Sequence, residues 1–113
     1  LSDKAPSKAL RGVKASAELA LKDGRVLYQQ YCVSCHKEDG KGVVGAFPAL
    51  AGSAIVQGGP DKLTSLVLNG TAQQMPAFKF LKDEELAQLL TYVRNQWGNK
   101  SGEITTSTVK KQR

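Results

Sequence analysis

The chain has 113 residues, a single-domain length whose core is marginal unless something besides side chains fills it. Its net charge of +6 sits in the flanks: residues 1–22 and 99–113 each carry a surplus of three positive charges, while residues 23–98 hold seven of each sign. That distribution excludes a nucleic-acid reader, which needs a basic stripe on the fold itself, and no run approaches the roughly 18 apolar residues of a membrane span.

Residues 1–15 lack a sustained period and read as a mobile leader or linker. Ser16 is placed to cap a helix with Glu18 in its first turn, and Leu19, Val26, Leu27 and Tyr31 share a helical stripe running up to Cys32. Gly24 interrupts that stripe at a propensity cost of about 1 kcal/mol. Either another helix crosses closely there, or the helix simply breaks.

Cys32-Val33-Ser34-Cys35-His36 follows, a Cys-x-x-Cys-His pattern that reads as a c-type haem attachment site. Two thiols at this spacing add across the vinyl groups of the porphyrin, and the adjacent imidazole meets the iron from one face. A thioredoxin-like redox pair is the first alternative, but no βαβ pattern surrounds the cysteines. Half a zinc site is the second, yet the chain has two Cys and one His in all. The low aromatic content, 6%, suits an interior filled by a cofactor. Covalent haem attachment belongs to an oxidising compartment, so Leu1 is expected to start a processed form or to fall inside a longer chain.

Beyond His36 the glycines 40, 42 and 45 argue for a loop, from which Phe47-Pro48-Ala49-Leu50 brings an aromatic and a fixed turn towards the haem. Pro60 and Asn69-Gly70 bracket a short helix with Leu63, Leu66 and Val67 on one face. A second loop spans Thr71–Phe80. The last strong helix runs from Asp83 to about Trp97, with Leu86, Leu89, Leu90, Val93 and Trp97 as its apolar stripe and Gly98 as its stop. No strand pattern is convincing, so the expected class is all-α, with loops wrapped around one cofactor.

Met75, the chain's single methionine, lies in the second loop and precedes Pro76, with Phe78 and Phe80 nearby. A methionine is more often gap filler in a core, but this position suits an axial ligand opposite His36. His/Met ligation raises the reduction potential and, with both axial positions filled, leaves no open site for oxygen or peroxide. Such iron suits electron transfer. Gln57, Asn69 and Thr71 are candidate partners of the haem propionates.

With these residues in view, residues 23–98 resemble a class I cytochrome c of the small bacterial type. The resemblance implies that Gly24 and Tyr28 belong to an N-terminal helix crossing the C-terminal one near Tyr92. It also implies that the Pro48 carbonyl accepts the other N–H of the ligand His36, fixing its tautomer. Met75-Pro76 matches the family's axial methionine and following proline. Phe47–Ser53, Val67–Thr71 and Thr91–Asn99, with Gly102-Glu103, are similar to the cytochrome c domain at the C-terminus of subunit II of caa-type haem–copper oxidases. That narrower resemblance implies electron delivery to a neighbouring copper A centre at the periplasmic or outer face of a bacterial membrane. No copper A ligand set occurs in these residues.

Similar strings occur in cytochrome subunits of membrane dehydrogenases and in haem-tailed nitrite reductases, and a free periplasmic carrier is a further alternative. Family members often start the last helix with a serine cap where this chain has Lys82, so Asp83–Glu85 are expected to serve instead. Lys37, Lys41, Lys79 and Lys82 flank the two loops and either steer an acidic redox partner or form ordinary solvated surface. The tail, 99–113, ends in Lys110-Lys111-Gln112-Arg113. It either touches anionic lipid or a partner subunit or, as the expectation favours, hangs loose. The isolated domain is expected to be a monomer. A haem enzyme or gas sensor with an exchangeable Met75 is a less favoured reading.

Overall fold

Two helices, α1 (Ala15–Tyr31) and α5 (Asp83–Arg94), cross and carry the rest of the fold. The computed structural model describes residues 15–71 and 75–113, with side chains from Asp23 onward. The crossing is close because Gly24 lacks a side chain: a Cβ there would lie 2.6 Å from the Tyr92 Cβ and collide with the Gln88 carbonyl. The helix continues through this glycine, so close crossing is the correct one of the two expectations. Leu86, Leu89, Leu90 and Val93 turn the buried face of α5 inward, each contributing about 1.5–3 kcal/mol of burial.

Shorter elements hang on this pair. α2 (Val33–His36) continues from α1 after Cys32, while α3 (Ala54–Gln57) is capped by the Ser53 hydroxyl, which accepts from the Val56 amide. In α4 (Pro60–Asn69), Pro60 occupies the first turn and Gly70 closes the end at φ 73°. Leu63, Val67 and Leu68 of α4 are buried. Among the described residues there is no strand, only an isolated bridge between Val43 and Phe47. The all-α expectation holds.

Three details differ from the sequence reading. Helix α1 is already formed at Ala15, one residue before the cap expected at Ser16, and Val26 is 61% exposed because it falls opposite the α5 contact. The expected leader 1–14 and the side chains of Ser16, Glu18 and Leu19 lie outside the described residues. Helix α5 stops at Arg94, and Trp97 stands beyond it at φ 56° with its ring against Gly40. At the other end of α5, Glu85 accepts from the Lys82 amide at 2.8 Å, as the acidic first turn suggested.

The largest correction concerns the closing residues. They form α6 (Thr106–Gln112), which packs against α4 and α5 and buries Val109 completely. Ile104 is 1% exposed, and its amide and carbonyl both bond the Thr91 hydroxyl. The basic side chains Lys110 and Lys111 face out, which is why charge alone made this segment read as a loose tail.

Candidate functional site

Between α1, α4 and the loops that follow α2 and α4 lies a cleft of about 1090 Å³, its open mouth included. On the measure by which ligand pockets are usually sized it holds about 320 Å³, at the lower end of the roughly 300–1,000 Å³ of ordinary ligand pockets. Among the described residues its walls carry no charged side chain, and side-chain oxygen comes only from Tyr31, Ser53 and Thr71. Leu50, Val56, Leu63, Leu66, Val67 and Phe78 make the interior apolar. A flat, largely apolar ligand is what such walls accept.

Cys32 and Cys35 both line the cleft, with no disulfide between them. Burial, with Cys35 alongside, pushes the Cys32 thiol up to about 12. A thioredoxin-like pair needs a thiolate near neutral pH, so these surroundings disfavour dithiol exchange. Among the described residues no three or more His, Cys, Asp or Glu are gathered as a metal cluster.

His36 ends α2 directly after Cys35, and its Nδ1 lies 2.9 Å from the Pro48 carbonyl. A carbonyl only accepts, so Nδ1 carries the proton and Nε2 keeps a free lone pair for a metal. The Gly42 amide donates to the His36 carbonyl at 3.0 Å, tying the loop back to the helix. Gly42 adopts φ 64°, and a Cβ on it would come within 2.6 Å of the Pro48 carbonyl oxygen. The glycine thus makes room for the very acceptor that orients the imidazole.

Met75 lines the same cleft, partly buried and packed against the core. Its amide donates to the Thr71 hydroxyl at 3.2 Å, and its carbonyl accepts from the Thr71 amide at 2.9 Å. Gly70 lets this loop fold tightly: a Cβ there would meet the Met75 carbonyl at 2.6 Å and the Ala77 amide at 2.8 Å. Farther on, the Phe78 amide donates to the Val67 carbonyl at 3.0 Å. An apolar cleft lined by two thiols and a thioether, with an imidazole of free Nε2 directly after the second thiol, offers a donor set that fits haem c.

Comparison with known proteins agrees. The sequence model described as cytochrome c oxidase, cbb3-type, subunit III matches residues 19–93. Cytochrome c-552 of Thermus thermophilus is 36% identical over 92 residues, covering 68% of this chain and 70% of the relative. The chain belongs to the cytochrome c family. As a cytochrome c domain it is an electron-transfer unit with the class I fold, and the family implies haem c as its cofactor.

Other relatives are larger. The cytochrome c subunit of the quinone-type alcohol dehydrogenase of Gluconacetobacter polyoxogenes is 33% identical over 112 residues, which is 88% of this chain but 24% of the relative. The cbb3-type oxidase subunit CcoP of Azospirillum brasilense is 34% identical over 88 residues, covering 72% of this chain and 30% of the relative. The cytochrome c domain therefore spans about a quarter of the length of the dehydrogenase subunits it matches.

Of the three propionate candidates, only Thr71 lines the cleft; Asn69 bonds Ser65 within α4, and Gln57 turns back to the Ser53 carbonyl. Lys37 likewise folds back onto the Ser34 carbonyl at 3.0 Å. Two organising residues escaped the sequence reading. Asn99 donates to the carbonyls of Leu50 and Val93 and accepts from the Gly52 amide at 2.8 Å. Arg94, 5% exposed, donates to the carbonyls of Val56, Gly58 and Ser101. Neither is detectable from composition or period, since each acts on backbone atoms tens of residues away or beyond a turn.

Proposed function

We propose that this domain passes single electrons through one haem c, bound covalently by Cys32 and Cys35 and ligated axially by His36 and Met75. When bound, the group supplies an iron that shuttles between ferric and ferrous states. The chain's own residues do the rest. The Pro48 carbonyl holds the Nδ1 proton of His36, so Nε2 is kept aimed and basic. Thr71 and Val67 hold the loop of Met75, and the apolar walls exclude water. The observation that carries the reading is the 2.9 Å contact of His36 Nδ1 with Pro48, beside a cleft lined by both cysteines and the methionine.

The test is to express the chain with haem-attachment machinery and measure its mass and ferrous spectrum. A mass increment of one haem and no spectral response to carbon monoxide are expected. No increment, or ready carbon monoxide binding, refutes the reading; the latter points to the sensor or enzyme alternative.

For the redox partner, the segments Phe47–Ser53, Val67–Thr71 and Thr91–Asn99 support the copper A centre of a terminal oxidase, reached on the periplasmic or outer face of the membrane. The similarity to dehydrogenase cytochrome subunits over most of the chain supports a second reading, in which the domain accepts electrons inside a quinone-linked dehydrogenase. A haem-stained gel of native membranes, probed with antibody to this domain and followed by peptide sequencing of the band, distinguishes them. Copper-ligand peptides in the same band establish the oxidase, peptides of a longer multi-haem chain the dehydrogenase subunit. A soluble band near 12.1 kDa overturns both in favour of a free carrier.

A further inference from the structure

Arg113 reaches back from the end of α6 across the segment that connects the Met75 loop to α5. Its Nη1 donates to the Lys79 carbonyl at 2.9 Å, its Nη2 donates to the Leu81 carbonyl, and its Nε donates to Asp83 Oδ1 at 2.6 Å. A planar fork with fixed donors suits this three-point grip, and a lysine would reach at most part of it. The grip has a firm base, because Val109, one turn earlier in α6, is fully buried. It also has a firm object, because Leu81 is 3% exposed and Phe78, whose carbonyl accepts from the Leu81 amide, is 4% exposed. Phe78 lines the cleft and stacks edge-on against Tyr31, another lining residue, with ring centroids 5.8 Å apart.

We propose that Arg113 is a positioning residue for the Met75 ligand: α6, through this one guanidinium, clamps the exit of the methionine loop and holds the thioether in place. The inference rests on Met75 being the axial ligand. Residues 71 and 75–78 are held from the α4 side by Thr71, Gly70 and Val67, whereas residues 79–83 are held from the α6 side by Arg113. Opening the second anchorage lets the loop swing about the first. An outside ligand that competes for the iron then meets less resistance, while the fold as a whole stays closed.

The test uses the full-length haem-loaded protein and imidazole as the competing ligand. Imidazole affinity and the thioether–iron absorption band are followed in the wild type, Arg113→Gln, Arg113→Lys and Val109→Ala, each with its denaturant midpoint. Arg113→Gln is expected to bind imidazole about tenfold more tightly and Arg113→Lys to fall between it and the wild type. Val109→Ala, which loosens the base of the grip but keeps the guanidinium, is expected to lower the denaturant midpoint and to bind imidazole more tightly than the wild type yet clearly less tightly than Arg113→Gln. Equal imidazole affinity in the wild type and Arg113→Gln overturns the clamp, as does a Val109→Ala variant as permissive as Arg113→Gln. A wild type lacking the thioether–iron band refutes the ligand assignment instead, and the clamp with it.

Discussion

On the His36 side of the cleft the restraint falls on the imidazole ring, through Nδ1 and the Pro48 carbonyl, and on a short helix that ends at His36 itself. On the Met75 side the restraints fall on backbone atoms of a loop, gripped at one end by Thr71 and Val67 and at the other by Arg113. One side is directional and local; the other is assembled from α4 and α6. The difference suits the chemistry of each ligand. An imidazole must be aimed and have its proton placed, whereas a soft thioether needs only to be kept close. It follows that the methionine side is the one that yields first.

The harshest way to break the comparison is to remove the frame that both sides share. Gly24→Val would drive a side chain into the Gln88 carbonyl and Tyr92, and a loss of about 3 kcal/mol or more is expected. Denaturant unfolding checks it, and both sides should fail in a single transition. Met75→Ala separates the sides. The domain is expected to keep its covalent haem and His36 ligation but to bind carbon monoxide when reduced. Its reduction potential should fall by a measurable part of the roughly 0.8 V that axial ligands command, as voltammetry would show.

Gly42→Ala strikes the other side. The new Cβ presses on the Pro48 carbonyl in a left-handed conformation, and a cost of about 1–3 kcal/mol is expected. Imidazole competition at Met75 should change little, so the two sides would be shown to fail independently. The smallest effect is on pH dependence. The Tyr28 hydroxyl donates to the Lys37 carbonyl at 2.7 Å, next to the ligand histidine in sequence, and burial raises its pKa above the ordinary 10.0. The folded state therefore holds this proton more tightly than the unfolded state. That contribution is complete below about pH 10 and is lost as the pH climbs through the folded value. Tyr28→Phe should cost about 1 kcal/mol at neutral pH and flatten the alkaline decline, measured by unfolding at pH 8 and pH 11.

The His36 side was largely legible in the sequence because its parts are neighbours: the thiols, the imidazole and the proline lie between residues 32 and 48. The all-α class followed from periodicity in α4 and α5. The Met75 side was legible only as a residue. Its restraints join α4 and α6 to a loop through backbone carbonyls, which leave no residue pattern. Arg113 looked like part of a basic tail because charge marks solvent exposure on average, and nothing in its neighbours announces a partner thirty residues away. Val26 misled in the opposite direction, being apolar and in phase yet pointing away from α5.

The turn after α5 has a consequence for the order of assembly. Trp97 donates to the Glu38 carbonyl, and Asn99 bridges Leu50 and Gly52, partners 47 to 59 residues earlier in the chain. Such distant closures form late, since the chain must first lose the entropy of a long loop. The segment 38–52 is thus the last part of the His36 side to lock. A newly made chain presents its two cysteines beside a loop still waiting for residues 97–99 to arrive. Attachment of the cofactor would precede closure, and amide exchange at Gly52 should be protected together with α5 rather than with α2.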